Sequence, residues 1–237
     1  MGECQLLFSL RADDVGWNPA SEDKIDRGLE LAQRCHALLQ GLPYLAAVIP
    51  SCVDADGLAW LQSKPEGMRV AIHGLDHEPA EFRGLTMEQC RERICQARRA
   101  IVEVAWEDMV LPNNQYEFGL GTACMHEGIR YLWGGGHHTR TDPSDWPTPP
   151  QPYPLENIIF VPSWKPTYAA VTGWMRDDIP PLREVLPDLL DWPGKAVLTV
   201  HITWEAGLHK NLEGIRWLAD EIGPYIIPAA VYLNGHN

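Results

Sequence analysis

Residues 5–14 read QLLFSLRADD, an apolar run that ends in two adjacent aspartates, Asp13 and Asp14. Residues 5–10 have the composition of a strand buried on both faces, as parallel sheets require. Working outward, Ser21 reads as the N-cap of a helix. Ile25, Leu29, Ala32, His36 and Leu39 follow at helical spacing, and Gly41 ends it. The same unit then repeats. Strands are expected at 45–49, 69–72, 109–111, 129–133, 157–161 and 195–201, with a last short one at 225–227. Helices are expected at 54–63, 86–107, 116–127, 181–190 and 212–222. Thr86 and Gln89 supply a capping box for the helix over 86–107. Strand and helix in alternation predict an α/β fold. We expect a distorted, partly reduced (β/α) barrel of about seven parallel strands, built as a single domain over residues 1–237. The chain is short for a full eight-fold barrel, so some units must be reduced. Residues 134–154, GGGHHTRTDPSDWPTPPQPYP, interrupt the pattern and are expected to hold no regular element.

Composition narrows the function. Hydrophobic residues make up 45% of the chain, enough for a sizeable core, and charged residues 22%, which argues against disorder. The 19 basic and 32 acidic residues leave a net charge of −13. Such a surface repels phosphate backbones and anionic membranes, so nucleic acid is not an expected partner. The apolar run at 6–10 is too short for a signal-peptide core, and no stretch approaches the length of a membrane span. The six cysteines are scattered without a CxxC pair, which suits free thiols in a reducing cytoplasm. Ten tryptophans are many for this length. Trp106 and Trp217 fall in helical patterns and suit packing. Trp17, Trp146, Trp164, Trp174 and Trp204 fall in irregular segments, where an indole can stack on a sugar.

The chemistry-bearing residues cluster at expected strand ends. Asp13 and Asp14 close the first strand, either as a solvated turn or as two carboxylates with separate tasks. His73 and His77, in IHGLDHEP, are four apart after the third strand, a spacing at which two rings can share a metal. Pro112, Asn113 and Asn114 follow the fourth strand, and His201 ends an otherwise apolar seventh. Each taken singly also suits a hydrogen-bonded structural role. Together they share one address, the C-terminal edge where α/β folds place their chemistry. Two histidines and one aspartate leave metal positions open, and a second carboxylate and a third histidine remain for acid–base work.

In this order the motifs resemble those of the polysaccharide deacetylase family of carbohydrate esterases. RADDVG (11–16) is similar to its Asp-pair motif, HGLDH (73–77) to its paired-histidine motif, and LTVHITWE (198–205) to its late histidine motif. The resemblance implies that Asp14, His73 and His77 hold a divalent metal ion, Zn first, with Fe, Co, Ni and Mn also suited to the set. It implies that Asp13 is the general base, that His201 protonates the departing amine, and that a backbone N–H near Asn113 helps stabilise the oxyanion. Pro112, Asn113, Asn114, His137, His138, Trp164, Trp204 and Glu205 become candidate substrate contacts. The family carries an Arg before the Pro of its third motif, where it orients the base. Val110 and Leu111 stand here, so another group must orient Asp13. The implied activity is removal of an N-acetyl group from an acetylated sugar or oligosaccharide. The alternatives are hydrolysis of a non-sugar amide or an O-acetyl ester, and a catalytically silent sugar-binding protein on the same scaffold.

Overall fold

The first strand, β1 (Leu6–Val15), runs through both aspartates and is buried along nearly its whole length. The computed structural model describes residues 6–16, 28–78, 80–104, 106–135, 146–167, 182–201 and 212–234. Within them β1 is followed by α1 (Gly28–Leu39), β2 (Tyr44–Val48), α2 (Ala55–Gln62), β3 (Met68–Ile72), α3 (Met87–Ala100), β4 (Asp108–Val110), α4 (Leu120–His126) and β5 (Tyr131–Gly134). Then come β6 (Tyr153–Leu155), β7 (Ile158–Pro162), α5 (Leu182–Leu190), β8 (Gly194–His201), α6 (Glu213–Trp217) and α7 (Ala229–Leu233). The strands form one sheet in the order β6-β7-β5-β4-β3-β2-β1-β8. Every pairing is parallel except the β6–β7 hairpin. The expected seven parallel strands are therefore present in an α/β sheet.

Among the described residues the strand ladder does not close on itself, since β6 and β8 are its two ends. A side chain reaches across from the β7 side instead: Thr167, in the turn after β7, donates its hydroxyl to the Val197 carbonyl of β8 at 2.6 Å. Alternation along each strand sorts the side chains into two layers. Leu6, Phe8, Leu10 and Ala12 of β1 join the larger core, with α1 residues such as Cys35 and Leu39 and α3 residues such as Cys90 and Ile94. Leu45, Ala47, Ala71, Val110, Trp133 and Val197 form a second, smaller core with Tyr232 and Leu233 of α7.

Several elements differ from the sequence expectation. Tyr153 and Pro154 lie in the segment expected to be irregular, yet they begin β6. That strand is at the sheet edge, where Pro154 lacks no ladder donor the fold needs. The third helix ends at Ala100, not near 107. Ile101 leaves helical dihedrals (φ −118°, ψ 54°) and seats its branched side chain in the core. Helix α4 begins at Leu120 rather than 116, because Glu156 of the β6–β7 turn caps it from outside. Its carboxylate accepts from the Tyr116 hydroxyl (2.6 Å), Gly119 N (2.9 Å) and Thr122 N (2.7 Å). The final helix expected over 212–222 is α6 followed by a wider π turn, Leu218–Ile222. The expected last strand reduces to one parallel bridge, Phe8 to Ile226, before the unforeseen α7.

Candidate metal centre

Adjacent residues of a regular strand point to opposite faces, which would separate Asp13 from Asp14. The structure breaks that rule locally. The pairing of β1 with β2 shifts register between Ala12 and Val15, and Asp14 adopts a left-handed backbone with φ 61°. His77 (φ 56°), Asn113 (φ 51°) and Asn114 (φ 54°) share this unfavourable region. Such strain collects at functional sites, where the surrounding structure over-determines it.

The bulge brings Asp14 against both histidines of the β3 edge. Asp14 Oδ1 lies 3.4 Å from His73 Nε2 and 3.4 Å from His77 Nε2. One donor atom from each of the three residues lies within 4.8 Å of the others. Two donors bound about 2.1 Å from one ion at a tetrahedral angle stand about 3.4 Å apart, so the spacing fits a shared divalent metal. The buried Asp14 Oδ1 accepts no well-directed hydrogen bond among the described residues, as a ligand oxygen should not. His73 Nδ1 lies 3.1 Å from the Val110 carbonyl at the end of β4. That bond places the proton on Nδ1 and leaves the Nε2 lone pair for a metal.

Charge follows the same arrangement. Burial pushes the Asp14 carboxyl up, but the close approach of the His73 ring and the electrostatic pull of His201, His73 and His77 outweigh it and carry it down to about 2. Burial and the His73 charge lower His77 to about 4, so its ring is neutral at pH 7. Burial lowers His73, yet the close approach of Asp14 and the Asp13 and Asp14 charges raise it overall.

Asp13 sits beside this group, directly paired with His201 in the β1–β8 register. Asp13 Oδ2 and His201 Nε2 are 3.9 Å apart. The missing orienting group is Arg11, two residues earlier on the same strand face. Its Nε donates to Asp13 Oδ1 at 2.9 Å and its Nη2 to Oδ2 at 2.7 Å. Nη1 donates to Ser163 Oγ at 3.2 Å, and Ser163 donates onward to the Gly134 carbonyl at 2.6 Å. The guanidinium is fully buried, and the fork fixes the plane of the carboxylate. Sequence reasoning passed over Arg11, although the period of two placed it on the Asp13 face. It also missed Glu81, which accepts from the Leu75 and His77 amides and carries no sequence signal of its own.

Among the substrate candidates, Pro112, Asn113 and Asn114 form a tight turn directly after β4. Pro112 and Asn114 are buried, and Asn113 is exposed. Trp164, a candidate substrate contact by sequence, packs inside. It is 3% exposed, belongs to the larger core, and donates its indole N–H to the Trp146 carbonyl at 2.8 Å. Such a ring offers no free face to a sugar. His137, His138, Trp204 and Glu205 lie outside the described residues.

No protein-family profile matches the chain, and no curated protein matches it by sequence. Solved structures do. A protein from Mycobacterium smegmatis, assigned as a polysaccharide deacetylase, superposes with a TM-score of 0.64 at 15% identity, covering 100% of this chain and 91% of that one. A family 4 carbohydrate esterase from Streptomyces lividans, solved with acetate, gives 0.56 at 16% identity over 95% of this chain and 92% of its own. A 4-α-glucanotransferase from Thermococcus litoralis gives 0.65 at 14% identity, over 96% of this chain but 38% of the enzyme. The chain thus shares the fold of polysaccharide deacetylases and carbohydrate esterases of family 4, and of one domain-sized part of a glucanotransferase.

Proposed function

We propose that this chain is a single catalytic domain that removes an N-acetyl group from an acetylated sugar or glycan precursor with the help of a divalent metal ion. The observation that carries this reading is the convergence of Asp14, His73 and His77 at metal-ligand spacing, with a clamped carboxylate beside them. The fold shared with carbohydrate esterases supports it.

In this reading Asp14, His73 and His77 hold the ion, with Zn the first candidate. Bound there, it would supply Lewis acidity to the reacting acetyl group. Asp13, held by the Arg11 fork, takes the proton from a water as that water attacks the carbonyl carbon. The Asn113 N–H serves as a donor to the oxygen on which negative charge develops. When the C–N bond breaks, His201 gives its proton to the nitrogen, so the amine leaves neutral and acetate remains. His77 and His201 are the partly exposed members of the set, with side chains 20% and 10% open, and they mark the side from which substrate approaches.

The test is to purify the protein without chelator, measure bound metal, and assay acetate release from a panel of N- and O-acetylated sugars and simple amides. His73→Ala should lose both metal and turnover. Asp13→Asn should keep metal and lose about 100- to 10,000-fold in kcat. A wild-type protein that binds no divalent ion sinks the proposal. Stoichiometric metal with no turnover on any of these substrates would point to a sugar-binding protein instead.

A further inference from the structure

His77 offers its imidazole from a left-handed backbone, φ 56°, that disfavours an L-residue. Something must hold that conformation. Two alternate N–H groups of the loop, those of Leu75 and His77, donate to one carboxylate. Glu81 accepts from Leu75 N at 2.6 Å and from His77 N at 3.2 Å, and its side chain is fully buried. The space it occupies is one that residue 74 vacates. Gly74 has φ 71°, and a Cβ built there would overlap Glu81 Oε2 and stand 2.6 Å from Pro112 Cγ. The carboxylate therefore fills the position of a missing side chain. The middle residue of the loop is tied as well. Arg93 of α3 donates its Nε to Glu81 Oε1 at 3.3 Å and its Nη2 to both oxygens of Asp76, at 3.0 and 2.9 Å.

We infer that Glu81 is a positioning residue of the metal centre, one that holds His77 in its left-handed conformation, with Nε2 toward Asp14, before any metal arrives. The inference rests on the metal-centre reading above. A preformed loop loses less conformational freedom on binding, so the affinity gained is that of a ligand already in place. The competing reading is an ion pair that merely ties α3 to the sheet.

Two measurements decide between them. In the metal-free wild type, amide exchange followed by NMR should show the Leu75 and His77 amides protected. Amides exchanging at open-loop rates there would overturn the inference without any variant. Glu81→Gln keeps the shape but turns one acceptor into a donor that faces His77 N–H or Arg93. It should speed exchange at Leu75 and His77 while leaving the β3 amides of Val70 and Ile72 unchanged. It should also weaken Zn²⁺ binding, read by competition with a chromophoric chelator, by about 10- to 100-fold. Unchanged Zn²⁺ affinity in E81Q, or faster exchange spread evenly through β3, overturns the inference and leaves the metal centre standing. A wild type that binds no Zn²⁺ overturns both together.

Discussion

Arg11→Met should be among the most damaging single changes in this protein, and the structure says why. The guanidinium is fully buried, the Asp13 side chain is 3% exposed, and two fork bonds join them. Methionine preserves most of the stem volume, so the loss is electrostatic rather than a cavity. What remains is a buried carboxylate stripped of the cation hydrogen-bonded to it, a situation that costs about 3–5 kcal/mol. The double variant Arg11→Met/Asp13→Asn removes both charges, so it should recover about 2 kcal/mol relative to the sum of the single changes. Urea unfolding of the four proteins at pH 7, with chelator present, measures this coupling. Additivity within about 0.5 kcal/mol would refute the claim that the pair acts as a unit. A kinetic arm follows from the geometry. Arg11→Lys keeps the charge but not the planar fork. It should retain metal and KM while kcat falls by about 100-fold, the scale of a misplaced catalytic group.

Acid should destabilise the metal-free protein through His77. Its folded pKa of about 4 lies below the ordinary 6.5, so between these values only the unfolded chain takes up the proton. Stability is then lost as pH falls from 6.5 toward 4, and urea midpoints of His77→Asn should show a flatter profile across that window. His73, raised instead of lowered, contributes stability that is complete below 6.5 and lost at higher pH, so it does not mask the effect. Trp164→Ala should cost about 3–5 kcal/mol of folding stability, as truncation of a buried aromatic does. In whatever protein still folds, KM should not move; a raised KM at unchanged stability would return Trp164 to the substrate pocket.

Much of the fold was legible because its signals are local. Thr86 and Gln89 form the expected capping box, and Asp54 caps α2 through Gly57 N, where the helix was expected to begin. The strand ends were legible for a different reason: charged residues after apolar runs are costly unless something uses them. The unread parts depend on distant partners. Glu156 caps α4 from more than thirty residues away, which no window along the chain reveals. The early stop of α3 comes from where Ile101 must be buried, a tertiary demand that overrides helical periodicity. At the candidate site, the aspartates and histidines stood out by type and address. Arg11 did not, because an arginine inside a strand reads as an edge or surface residue until its carboxylate is seen. Glu81 was hidden further, since its work is done on backbone amides, which every sequence possesses.

The clamp on β1 also bears on how such a protein can diverge. In the proposed reading, base, brace and one ligand fall within four consecutive positions, Arg11 to Asp14, so one short segment carries all three. What β4 lends to the centre is the carbonyl of Val110, an atom that every amino acid provides. Residues 110 and 111 are thereby released from chemical duty, and in the proposed reading the side chains after β4 can change with the substrate as long as the backbone that presents the Asn113 N–H keeps its path.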